Sequence, residues 1–301
     1  MEALQVVSGY ILFIILGQFL KLIGRLPRES AGAVSTLVLY VTLPCAIVKV
    51  LNGTPFDPNM VLCLAAGFLI SWVLIGAAWL ICRRDPKRAK FAMLNLPGWN
   101  IGTFAMPYTA SFVTPEGFLA ICFFDMGNAL MCTGGTYAFV CSESGVPLRE
   151  KLVSIVRRLL SSGPICTYLI VFVLMLTHSQ LPPGIIRIID IGASANSFLA
   201  MIMIGMSVNL AINPEHLRLF GRLLFWRYVI NLATAVLLYY VLPFEEPTRM
   251  AVALVMLAPI PAMGIVFTMK AKLDWEASAN INPLSIIISV VLMSTLITLA
   301  F

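Results

Sequence analysis

The chain has 301 residues, 60% of them apolar and 11% charged, with a mean hydropathy of +0.95 and a formal net charge of +6. Soluble domains run near 45–50% apolar and roughly 25% charged, so a water-soluble surface is excluded and the chain reads as an integral membrane protein. The basic excess points to the positive-inside bias of such a protein in preference to nucleic-acid binding.

Ten apolar segments follow in chain order, at residues 3–20, 31–51, 59–82, 91–112, 117–141, 159–177, 188–212, 228–242, 250–269 and 277–301. Each approaches or exceeds the roughly 20 residues that cross about 30 Å of hydrocarbon as a helix. The first is not a cleavable signal, because Glu2 stands where a basic flank belongs and the chain runs on into Lys21 and Arg25. The seven cysteines, odd in number, lie within or at the ends of apolar segments, which predicts no disulfide framework. With no CxxC and only His178 and His216, far apart at segment ends, the sequence predicts neither a metal site nor a cofactor.

Orientation comes from Lys and Arg. Seventeen of the twenty, Arg218, Arg222 and Arg227 among them, fall in the odd-numbered loops; Lys49, Arg187 and Arg249 are the exceptions. The odd loops are therefore cytoplasmic and both termini lie outside, in the cell membrane, most simply a bacterial inner membrane. The connection at 142–162 interleaves Leu152, Val153, Ile155 and Val156 with Arg149, Lys151, Arg157 and Arg158, the pattern of an amphipathic surface helix. It divides the chain into five and five segments: 1–145, the connection 146–162, and 163–301. An odd number per half inverts the second half relative to the first, as in many secondary transporters. The expected fold is all-α, with ten transmembrane helices in two inverted five-helix repeats.

Two segments carry breaks. Segment four holds Asn95, Pro97, Gly98, Trp99, Asn100, Gly102 and Pro107; segment nine, its partner, holds Pro259, Pro261, Ala262 and Gly264. Proline removes a helical hydrogen bond, and backbone groups freed in this way cannot face lipid, so such stretches line protein or a watery cavity. A lone break is most simply a kink; two at equivalent places point to a pair of crossing broken helices. Asn100 stands ten residues from Lys90 and Pro261 twelve from Arg249, about 15 and 18 Å from opposite faces by helical rise, so both breaks reach the midplane. The half-helices that begin there turn positive dipole ends toward an anion.

Asp125, about 13 Å into segment five, is the one deep acid, with Asn128 a turn later. An intramembrane carboxylate points to ion or proton binding, with a structural, hydrogen-bonded role as the alternative. Segment ten, the partner of five, brings Asn280, Asn282, Pro283 and Ser285. Pro44 and Cys45 in segment two and Gly205 in segment seven fit close helix packing first, and are carried as outer members of the candidate substrate site.

Taken with Thr42–Pro44, Asn100–Pro107, Asp125–Asn128, Ile204–Leu210, Pro261–Ala262 and the residues from Ser278 onward, the chain resembles the auxin efflux carrier family, nearly end to end and in motif order. That family includes plant auxin exporters and bacterial carriers of malate, malonate and similar anions; the short mid-chain connection resembles the bacterial type. The resemblance implies a scaffold of segments 1, 2, 6 and 7. Segments 3–5 and 8–10 would form a transport domain that moves in an elevator-like step. Substrate would sit where broken helices 4 and 9 cross, against Asn95, Pro97, Trp99, Asn100, Gly102, Asn128, Pro259, Pro261 and Ala262, with Asp125, Asn280 and Asn282 holding the coupling ion. Where the family often has proline directly before the segment-four asparagine, this chain has Trp99, which brings an indole to the crossing.

The function expected is secondary active transport of small mono- or dicarboxylates or auxin-like acids, by symport or antiport with a proton or sodium. The chain is not read as an enzyme: an intramembrane enzyme needs a second deep carboxylate, a Ser/His pair or a metal cluster. The alternatives are a sodium-coupled carrier of the bile-acid symporter type and a ligand sensor on the same fold. The expected partners are the anion, the coupling ion and the lipid bilayer, with a homodimer open to it and no nucleic acid.

Overall fold

A computed structural model of the chain describes residues 2–27, 29–141, 148–208 and 214–300. It is helical, with no strand among the described residues. In chain order the helices are α1 (Glu2–Leu22), α2 (Ser30–Leu51), α3 (Met60–Cys82), α4 (Pro86–Asn95), α5 (residues 101–109), α6 (Pro115–Val140), α7 (Leu148–Leu160), α8 (Gly163–Leu176), α9 (Pro183–Ser207), α10 (Pro214–Val241), α11 (Glu246–Val255), α12 (Met263–Lys270) and α13 (Trp275–Ala300).

Among the described residues seven helices are long and apolar enough to cross a membrane: α1, α2, α3, α6, α9, α10 and α13. The other three apolar segments take different forms. Segment four is split into α4 and α5, and segment nine into α11 and α12. Segment six is α8, 14 residues long, bent by 76° against the end of α7. Within the connection, α7 leaves Leu152, Val153, Val156 and Leu160 exposed as an apolar stripe; residues 142–147 of that connection, and Asn209 and Leu210 of the segment-seven motif, lie outside the described residues.

Packing divides the helices into two sets. In the first, α9 lies along α1 and α2, and α8 along α2. A Cβ on Gly17 would meet the Ile202 carbonyl at 2.3 Å and one on Gly205 the Ile14 carbonyl at 2.0 Å, so α1 and α9 touch backbone to backbone. Small residues permit that approach, the usual basis of helix association in lipid. In the second set α3 packs on α4, α6 and α10, and α11 on α6 and α10. There Gly67 against Phe124 and Gly127 against Leu64 bring α3 and α6 equally close. Large apolar side chains such as Leu80, Ile191, Tyr240 and Leu299 stay exposed on the outside, where lipid and not water is the solvent.

Two prolines are accommodated in the same way. A π-helical turn at Val38–Thr42 precedes Pro44, and another at Ile101–Ala105 precedes Pro107. Widening the helix by one residue re-pairs the carbonyls that the missing proline N–H would leave free.

Candidate functional site

The first break follows from local chemistry. The Asp85 side chain accepts from the N–H groups of Lys87 and Arg88 at 3.0 and 3.1 Å and starts α4. Pro97 and Gly98 end it; Gly98 takes φ +82, a left-handed conformation that only glycine adopts without cost. A Cβ there would also stand 2.4 Å from Cys132 Sγ. In the second break α11 stops at Val255, Pro259 and Pro261 hold the chain out of helix, and α12 begins at Met263. The breaks touch: Asn100 N–H donates to the Pro259 carbonyl at 2.9 Å, and the Trp99 indole N–H to the Met256 carbonyl at 3.0 Å.

Each break is held by the helix of the next apolar segment, α6 for the first and α13 for the second. Asn128 of α6 grips Trp99 at both ends, accepting its N–H at 3.0 Å and donating to its carbonyl at 2.9 Å. On α13, Ser285 Oγ accepts from Ile260 N–H at 2.9 Å, and Asn282 donates to the Ile260 carbonyl at 2.8 Å. Extended backbone inside a membrane leaves a donor and an acceptor without helical partners, and here side chains satisfy both. This gives Asn128 and Asn282 their place in the fold. Asn280 is half-buried, and neither it nor Asn282 hydrogen-bonds Asp125.

Arg227 belongs to the meeting of the two breaks, a place that the sequence does not show. Counted above with the cytoplasmic cations before segment eight, it is instead fully buried, because α10 begins at Pro214 and carries it a further three turns inward. Its Nη1 donates to the Leu96 carbonyl; its Nη2 donates to those of Gly98 at 2.8 Å and Ala258 at 3.2 Å. These carbonyls lie just past the C-terminal ends of α4 and α11, where two negative dipole ends meet, and one guanidinium satisfies both. Its Cζ also lies over the Trp99 ring, 5.7 Å from the centroid. The available signal was position: a cation next to Tyr228 at the edge of an apolar segment, nine residues beyond Arg218.

Asp125 is buried on α6. Its Oδ1 accepts from Asn128 Nδ2 at 3.1 Å and its Oδ2 from the Tyr168 hydroxyl of α8 at 2.9 Å. A continuous path therefore runs from Arg227 through the Gly98 carbonyl, Trp99 and Asn128 to Asp125, with a cation at one end and a carboxylate at the other.

The remaining residues separate by exposure. Asn95, Pro97, Trp99 and Pro259 are buried. Asn95 donates to Thr268 Oγ1 at 2.8 Å and accepts from Ser278, tying α4 to α12 and α13. The indole of Trp99 is 1% exposed and edge-on to Phe124 at 5.2 Å, so its ring is packed inside the meeting of the two breaks. Gly205 serves the α1–α9 contact, and Cys45 lies against α9 at Gly192. Asn100, Gly102, Pro261 and Ala262 keep accessible surface, as does Pro44. Gly102 faces Leu43 of α2 and Pro164 of α8. The Asn100 side-chain oxygen accepts from Thr103 at 2.5 Å, and its amide nitrogen has no partner among the described residues. An apolar groove of 780 Å³ lined by residues including Leu224, Leu232 and Ile288, and a 620 Å³ recess among Lys87, Arg88, Arg218, Arg222 and Lys272, contain none of these residues.

No family model matches the chain. It is similar to an uncharacterized transporter of Methanocaldococcus jannaschii, 25% identical over 255 residues, which is 78% of each chain.

Proposed function

We propose that the chain is a secondary carrier of small organic anions, related to the auxin efflux carriers, in which substrate binds on the half-buried side of the crossing. The observation that carries this reading is the crossing itself: two broken segments hydrogen-bonded at Asn100 and Pro259, each break held by polar side chains of the next helix. Maintaining such a structure in lipid is costly, and secondary transporters use it to put half-helix ends and polar backbone at a substrate. The similarity to a transporter over most of both chains supports the same class.

In this reading the chain is two inverted five-helix repeats with ten spans. The first packing set, α1, α2, α8 and α9, is the scaffold; the second carries the substrate past it in an elevator-like step. The substrate carboxylate lies at Asn100, Gly102, Pro261 and Ala262, facing α2 and α8, and receives the free Asn100 amide. Asp125 is the coupling site. Its two oxygens already accept one donor each, from an amide and a phenol, an arrangement suited to a proton more than to sodium, which takes a shell of oxygens.

The test is flux in proteoliposomes with a panel of monocarboxylates (pyruvate, lactate) and dicarboxylates (malonate, malate), with pH and sodium gradients imposed separately. Accumulation of an acid driven by one gradient supports the reading. Binding without flux of any acid points to a sensor and refutes it. Asn100→Ala is expected to weaken binding of the transported acid by about 1.5–3 kcal/mol, one hydrogen bond to a charged group.

A further inference from the structure

Arg227 and Asp125 are the two buried charged side chains of the crossing, and neither has an ionic partner among the described residues. The three acceptors of Arg227 are neutral carbonyls, and its Nε has no acceptor. Asp125 meets only an amide and a phenol. The other titratable side chains nearby are Cys122, Cys132 and Tyr168 around Asp125, and Cys132 and Tyr228 around Arg227; none of them is a carboxyl or a basic group. Cys132 lies in the field of both charges. The pair is separated by Trp99, and the partly exposed Asn100 and Gly102 lie one and three residues beyond it in the chain.

From this geometry we infer that Arg227 is a fixed countercharge that sets the valence of the transported anion: one monoanion moves with one proton, without net charge. The inference rests on the transport reading above. With the site empty, the guanidinium and the ionised Asp125 cancel. With a monoanion bound, the substrate takes the role of countercharge, and the site is neutral once a proton from the same side sits on the Asp125 carboxylate. Proton and anion are released together on the other side, and the neutral empty site returns. Both charges lie in the second packing set, so both travel with the substrate, and a body crossing the bilayer core moves most easily without net charge. A dianion would leave the loaded site with one uncompensated negative charge. The positive partner is permanent because a guanidinium keeps its proton throughout the physiological range.

The experiment uses the full chain in proteoliposomes, with radiolabelled pyruvate and malonate, an internal pH dye, and the membrane potential clamped by potassium and valinomycin. The expected result is one proton taken up per pyruvate, no transport current, and a rate indifferent to the clamped potential. Malonate, as the dianion, is then either excluded or carried with a measurable current. Pyruvate flux with a current, without proton uptake, or dependent on sodium overturns the inference while leaving a carrier in place; so does current-free movement of dianionic malonate. Absence of flux for every acid in the panel removes the transport reading and the inference with it.

Asp125→Asn gives a second readout. Its loaded site stays neutral with a monoanion, but its empty site carries the charge of Arg227. Exchange of pyruvate across the membrane is expected to continue at reduced rate with no proton movement. Net uptake becomes voltage-dependent, slowed at least several-fold by an inside-negative potential, because each cycle returns one positive charge outward. Net uptake by Asp125→Asn that ignores the potential refutes the charge assignment.

Discussion

Arg227 is the residue whose removal tests the crossing most directly. Arg227→Met keeps the length and apolar stem of the side chain but leaves the Leu96, Gly98 and Ala258 carbonyls without their donor. An orphaned buried acceptor costs about 1–3 kcal/mol, so three cost about 3–9 kcal/mol. Against that stands the relief of no longer burying a charge, which recovers several kcal/mol. Two helix C-termini also lose the cation at their negative ends, about 0.3–1 kcal/mol each. The expected net loss is about 3–5 kcal/mol. At roughly 2 °C or a little more per kcal/mol for a chain of this size, the melting temperature in detergent falls by about 6–12 °C. Arg227→Lys retains the charge but has neither the planar fork nor the reach to serve both breaks, and is expected to melt between wild type and Arg227→Met. Thermal unfolding of the purified variants at matched detergent and lipid measures this. If Arg227→Met melts with the wild type, the guanidinium does not brace the crossing and the role assigned to it is wrong.

Two other outcomes follow from the same structure. Gly98→Ala puts a Cβ at φ +82 and 2.4 Å from Cys132 Sγ, so it is expected to destabilise by about 1–3 kcal/mol. Adding Cys132→Ala restores only the steric part, which a double-mutant cycle in melting temperature separates. Single cysteines at Pro55 and Gln180 in a cysteine-free background are expected to react with an impermeant maleimide from outside, and one at Pro86 only after permeabilisation; the reverse pattern would invert the charge-based orientation.

Much of this protein is legible from short stretches of sequence, because the forces involved are local. Hydrophobic length marks the helices. Proline and glycine act on the backbone within a turn of where they stand, so Pro97, Gly98, Pro259 and Pro261 show where α4 and α11 must stop.

What the sequence leaves open is decided by partners far away along the chain. Tyr168 reaches Asp125 across 43 positions, and the Trp99 indole reaches Met256 across 157. Neither spacing carries a signal, because each pair meets only after its helices have packed. Trp99 reads as a ligand-facing indole in sequence, yet in the fold its N–H is taken by the other break and its ring is sealed against Phe124. Arg227 shows the same limit. In sequence it continues a run of cytoplasmic cations with Arg218 and Arg222, and its charge argues for water. Only the start of α10 at Pro214, and the meeting of two helix C-termini beneath it, give that charge a place in the protein interior, since the carbonyls that stabilise it come from two breaks far apart in the chain.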